Sequence, residues 1–183
     1  MIERWGYRLL FKSGELSKLL NNIKIRGTIG ACTEEEWFQE LRTVTGMDYD
    51  LCVEFINEFW KVYLGELNIE FIDFIKQLRR GYKIALLSNS FIGARKKENA
   101  NYHFQELTDV IIYSHEVGLV KPDIAIYQMI CDQLGMLPEE TLFIDDEETN
   151  INAAHEFGMH TILFETTDNV IVEMKARLQP GPI

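Results

Sequence analysis

Apolar positions recur every three to four residues through roughly the first eighty residues, and then the pattern changes to short unbroken apolar runs. The clearest helix start is Thr33-Glu34-Glu35-Glu36, where Thr33 can cap the amide of Glu36 and Glu36 can reach back to Thr33. Trp37, Phe38, Leu41 and Val44 follow at helical spacing. A second helix is predicted from about Tyr49 to Leu64, with Leu51, Phe55, Phe59 and Val62 on one stripe and Cys52, Ile56 and Trp60 beside it. An aromatic stripe of this kind reads as core or lid packing before it reads as a cofactor box. A third helix is predicted from about Ile69 to Arg80, with Gly81 as its C-cap.

Beyond Gly81 four apolar runs read as strands: Lys83–Leu87, Val110–Tyr113, Thr141–Ile144 and Thr161–Phe164. None alternates strictly, as expected of parallel strands covered on both faces. Helices are predicted between them at about Asp123–Leu134 and Asn150–Phe157, each followed by glycine. Strand–helix alternation with short turns predicts an α/β fold with a doubly wound parallel sheet. The tail Gln179–Ile183 is expected to fray.

Composition narrows the class. With 46% hydrophobic residues the chain can bury a core. Its 29 acidic and 18 basic residues leave a net charge of −11, which repels nucleic-acid backbones. It does not exclude a small anionic substrate in a locally positive pocket. No apolar run approaches membrane-spanning length, and Met1-Ile2-Glu3-Arg4 does not open a signal peptide, so a cytoplasmic protein is expected. Cys32, Cys52 and Cys131 are too scattered for a disulfide framework or zinc site and are expected to be core thiols.

In open α/β sheets ligands bind beyond the carboxyl ends of strands, so the residues just after each strand are the informative ones. Ser88, followed by Asn89, can offer a hydroxyl and a backbone N–H to phosphate oxygens, although Ser-Asn-Ser is also ordinary capping material. Lys121, in Gly118-Leu119-Val120-Lys121-Pro122-Asp123, can present an ammonium fixed by the helix start at Pro122-Asp123, or can be a surface lysine. Asp145-Asp146 closes the strand Leu142-Phe143-Ile144; two adjacent carboxylates need a cation or hydrogen bonds, and hard oxygens suit Mg²⁺. Their side chains should point oppositely, one to a metal and one to the loop. Helix capping by the same residues stays open.

Together, Leu86-Leu87-Ser88-Asn89-Ser90, Gly118–Tyr127, and Phe143-Ile144-Asp145-Asp146 with Asn150, Ala153-Ala154 and Gly158-Met159 resemble the second, third and fourth motifs of the haloacid dehalogenase superfamily, most closely its small-helical-cap phosphatase branch. The resemblance implies a Rossmann-like core over 69–183 and a helical cap over 1–68. It also implies a Mg²⁺-dependent phosphatase of small phosphorylated metabolites. By that resemblance Ser88 and Asn89 would hold the phosphoryl oxygens, Lys121 would stabilise their charge, and Asp146 would ligate Mg²⁺ with Asp145 in support. Substrate choice would fall to cap residues such as Trp5 and Tyr7. Self-association into a homo-oligomer stays open.

The family's first motif, DxD after an apolar strand, has no counterpart: no aspartate precedes Asp48. Asp48-Tyr49-Asp50 has the spelling but begins an amphipathic helix, so capping is its expected role. The nucleophile strand, central in the family's sheet, is therefore expected to be absent from this chain. A catalytically inactive phosphate- or protein-binding remnant and a metal-independent dehalogenase are the competing readings. A phosphoacceptor module fits poorly, because its acidic pair would come first and its lysine last. His103, His115, His155 and His160 share no ligand spacing, and Arg95-Lys96-Lys97 reads as a solvated helix face.

Overall fold

The computed structural model describes residues 1–178; the tail expected to fray lies outside them. The chain divides into two units. The first comprises residues 1–66, 90–101 and 114–118, and the second residues 67–89, 102–113 and 119 onward.

The first unit is helical: α1 Ile2–Arg8, α2 Glu15–Thr28, α3 Glu34–Thr45 and α4 Tyr49–Leu64, joined by most of α6 Ala94–Tyr102 and by the single turn α8 Ser114–Val117. The capping box at Thr33 forms as expected, with Glu36 N on Thr33 Oγ1 at 3.1 Å and Thr33 N on Glu36 Oε2 at 2.8 Å. Asp48 caps α4 by accepting from Leu51 N at 2.9 Å. The buried stripe of α4 differs from the expected one. It runs through Cys52, Phe55 and Trp60, with Phe59 of the expected stripe partly buried against Trp37 and Phe91, while Val62 is exposed. Each large apolar side chain so buried contributes about 1.5–3 kcal/mol.

Trp5 belongs to this core rather than to a binding surface. It is fully buried, edge-on to Phe55 at 5.2 Å, and its indole N–H donates to Glu58 at 3.0 Å. Tyr7 is exposed.

The second unit holds all four strands found among the described residues. These are β1 Ala85–Ser88, β2 Val110–Tyr113, β3 Leu142–Asp145 and β4 His160–Leu163. Its helices are α5 Ile69–Leu78, the single turn α7 Phe104–Leu107, α9 Ile124–Leu134, α10 Glu148–Phe157 and α11 Thr167–Arg177. Gly135 and Gly158 terminate α9 and α10 in the left-handed conformation, as glycine permits. Residues 79–81 after α5 form a turn, in which Arg79 rather than Gly81 is the C-cap.

The strands are parallel, as the sequence predicts, and the α/β class holds. The sheet is not continuous, however. Among the described residues β1 pairs only with β2, and β3 only with β4. In the β1–β2 ladder Val110 N reaches Ile84 O, which turns alternate peptide groups of β1 toward β2 and those of Ala85 and Leu87 toward the opposite edge. In the β3–β4 ladder Phe164 N donates to Asp145 O at 2.8 Å, so Ile144 faces outward in the same way. β1, expected to be buried, is half-buried along its whole length. The core of this unit is supplied instead by α9, through Ile126, Tyr127, Ile130, Cys131 and Leu134, and by Phe74, Ile162, Val170 and Met174.

All three cysteines are buried and free. Burial pushes the Cys52 thiol up to about 11. No helix among the described residues is long and apolar enough to cross a membrane.

Candidate active site

The five sequence positions singled out at or after strand ends all fall in the second unit, and three of them, Asn89, Lys121 and Asp145, are joined by direct hydrogen bonds. Ser88 is the last residue of β1, and Asn89 follows it. The Asn89 side chain is committed to the Lys121 main chain: its Oδ1 accepts from Lys121 N at 2.7 Å and its Nδ2 donates to Lys121 O at 2.9 Å. This double bond pins a residue 32 positions away beside β1, and it leaves the backbone N–H as the group Asn89 could present to an anion.

The Lys121 peptide to Pro122 is cis. The helix expected at Pro122 starts later, at Ile124, with Asp123 as cap accepting from Ala125 N at 2.9 Å. The Lys121 ammonium is nine-tenths buried, 2.5 Å from Asp145 Oδ2 and 3.0 Å from the Leu87 carbonyl, and stands 5.7 Å from the Phe143 ring centre. It is therefore no surface lysine.

Asp145, the last residue of β3, is buried. Its second oxygen, Oδ1, accepts from Glu147 N and from Asn150 Nδ2, each at 2.9 Å. Both carboxylate oxygens are thus engaged, which offsets the cost of burying the charge. Asn150 is itself buried near the start of α10, and its carbonyl accepts from Tyr127 OH at 3.0 Å. Burial, and then the nearby Asp145 charge, push the Tyr127 hydroxyl up to about 12, so it remains a donor.

Asp146 is different. It is exposed and has no hydrogen-bond or ion-pair partner among the described residues. The Ser88 hydroxyl likewise bonds to no described residue. The pair of aspartates therefore divides into one carboxylate built into the strand ends and one left available.

Three bracing groups were not readable as such from sequence. The Leu87 carbonyl carries no side-chain signal at all. Asn150 and Tyr127 appear in the sequence motifs, but only their burial and bonds show them to be braces for Asp145.

The donor set bears on a metal ion. Among the described residues no group of three or more His, Cys, Asp or Glu could hold one. Mg²⁺ commonly takes only one or two protein carboxylates and completes its octahedron with water and substrate oxygens. Asp146, exposed and unpartnered, fits that requirement; Asp145, with both oxygens occupied, does not add a free ligand.

A family model of haloacid dehalogenase-like hydrolases matches residues 28–158, the span that contains every one of these groups. The chain belongs to the haloacid dehalogenase-like hydrolases. Within them it is 26% identical over 138 residues to a D-ribitol-5-phosphate phosphatase of Bacteroides thetaiotaomicron, covering 72% of this chain and 66% of that protein. It is 31% identical over 105 residues to a bifunctional epoxide hydrolase 2 of Sus scrofa, covering 53% of this chain and 18% of that protein. The chain thus spans less than two thirds of the length of these relatives. A crystal structure of a haloacid dehalogenase family enzyme from B. thetaiotaomicron in complex with magnesium superposes with a TM-score of 0.75 at 25% identity. That superposition covers 85% of this chain and 82% of the other. Membership in this family agrees with the α/β class of the second unit.

Proposed function

We propose that this hydrolase is a Mg²⁺-dependent phosphatase of small phosphorylated metabolites, working by two-step phosphoryl transfer through an aspartyl-phosphate. The observation that carries the reading is the Lys121 ammonium, held rigidly by Asp145 and the Leu87 carbonyl at the end of a strand that terminates in a free hydroxyl, Ser88. A fixed positive charge beside an available hydroxyl suits the equatorial oxygens of a transferring phosphoryl group. Ser88 Oγ and the Asn89 N–H bind and orient those oxygens, and Lys121 offsets their charge. Asp146 would hold Mg²⁺, which when bound would draw further charge from the phosphoryl oxygens. The similarity to a ribitol-phosphate phosphatase supports a small polyol or sugar phosphate as substrate.

The attacking aspartate has no assignment among the described residues. Asp48 caps α4, and Asp145 is locked to Lys121 and Asn150. The decisive experiment measures phosphate release from a panel of sugar and polyol phosphates. It compares this chain with a version extended at its N-terminus by an apolar strand ending in DxD, each with and without Mg²⁺. Turnover that requires Mg²⁺ and is lost in Lys121→Met supports the proposal. Halide release from haloacids without Mg²⁺ would assign a dehalogenase instead, and silence of both versions on both substrates would leave a non-catalytic remnant.

A further inference from the structure

The helical unit carries a groove that the strand-end chemistry does not use. Its volume is about 300 Å³, within the range of small-molecule sites. It lies where α3 and α4 meet the segment Phe91-Ile92, all within the first unit.

Its floor is aromatic. Trp37, Trp60 and Phe91 are each more than nine-tenths buried, with Trp37 edge-on to Phe91 at 5.1 Å. Phe38 and the exposed Tyr49, 5.4 Å apart and also edge-on, extend the wall outward.

The charged groups lining the groove are both carboxylates, Glu34 and Glu35. Their place in the first turn of α3 favours that helix by itself, through the positive end of its dipole. The floor beneath them is what helix stability does not explain. Glu34 lies over Gly93, where a Cβ would come within 2.8 Å of Oε2, so its carboxylate is held at the Phe91–Gly93 end of the groove. Glu35 Oε1 accepts from Gln39 Nε2 at 2.8 Å at the rim. Trp60 already attracts one ammonium, that of Lys97, at 4.8 Å from its ring centre.

Ring faces and carboxylates both attract cations. We infer that this groove binds a small organic cation of the alkylammonium class, with the ammonium between the ring faces and Glu34/Glu35. The same lining repels free phosphate and other anions. The inference is independent of the proposed phosphatase reaction, since it concerns residues outside the strand-end site and is tested without turnover.

The test titrates the full chain with choline, following tryptophan fluorescence and calorimetry, against its neutral isostere 3,3-dimethyl-1-butanol and against ribitol. A saturable choline signal is expected, with affinity about tenfold above that of the isostere, the discrimination one desolvated cation–ring contact supplies. Glu34→Gln combined with Glu35→Gln should weaken choline severalfold and leave the isostere unchanged. Tyr49→Leu, at an exposed position, should weaken choline as well. Circular dichroism establishes that each variant is folded. Equal affinity for choline and the isostere, preference for ribitol, absence of saturable choline binding, or indifference of choline to the Glu pair would each overturn the inference.

Discussion

Lys121 Nζ joins the ends of two strands that share no backbone ladder: it donates to the Leu87 carbonyl of β1 at 3.0 Å and to the Asp145 carboxylate of β3 at 2.5 Å. The Leu87 carbonyl points away from β2, so the ammonium fills a hydrogen-bonding position that a neighbouring strand would otherwise occupy. One side chain thereby serves as electrostatic group and as structural clamp, and the two roles can be separated experimentally.

Replacing Lys121 by Met keeps most of the volume and removes the charge. Asp145 is then a buried carboxylate without its cation, and urea denaturation should show a loss of about 3 kcal/mol. Removing both partners, with Asp145→Asn added, should cost less than the sum of the single changes. Strict additivity in this double-mutant cycle would mean that the two groups do not interact.

Asp146→Ala should leave stability within about 0.5 kcal/mol of the parent, since the side chain is exposed and unpartnered. The parent should gain about 1.4 kcal/mol when Mg²⁺ is raised to tenfold its dissociation constant. The variant should gain nothing. An equal Mg²⁺-dependent rise in melting temperature for both proteins would remove Asp146 from the metal site.

His115 sets an acid limit on the helical unit. Its Nδ1 lies 2.6 Å from Ser90 Oγ, and Ser90 is fully buried. Burial lowers the His115 pKa from its ordinary 6.5, more than the nearby Glu116 and Glu34 carboxylates raise it, and Arg95 lowers it further. The folded imidazole therefore holds fewer protons than the unfolded one just below pH 6.5, and acidification favours unfolding. The stabilisation is complete above that value and fades as the pH falls toward the folded-state pKa. Denaturation at about pH 7.5 and about pH 5.5 should show a fall in stability that His115→Gln flattens. An unchanged slope would place the acid sensitivity elsewhere.

Gly27 reverses the usual rule for helix interiors. Glycine to alanine inside a helix normally stabilises by about 1 kcal/mol. Here a Cβ would meet the Phe91 ring at 2.1 Å, in the middle of the buried aromatic cluster. Gly27→Ala should therefore destabilise by about 1–3 kcal/mol, as overpacking does. A rise in melting temperature would show that the ring can move aside.

Local sequence determined the elements whose causes are local. The Thr33 box, the Asp48 cap and the terminal glycines at 135 and 158 act within a few residues of themselves, and they fix where α3, α4, α9 and α10 begin or end. Short apolar runs were enough to mark the parallel strands, and the residues that follow them were enough to mark Ser88, Lys121 and the aspartate pair. Tertiary structure alone decided the rest. Which face of α4 is buried depended on Trp5, Trp37 and Phe91 arriving from distant segments, and so Val62 is exposed where the spacing had it inside. That the strands form two pairs depended on ladders between residues 25 positions apart in one pair and 18 in the other. The unlike fates of Asp145 and Asp146 had the same origin. Neighbouring carboxylates of identical chemistry are distinguished only by what surrounds them, and the ammonium that claims one of them comes from 24 residues away.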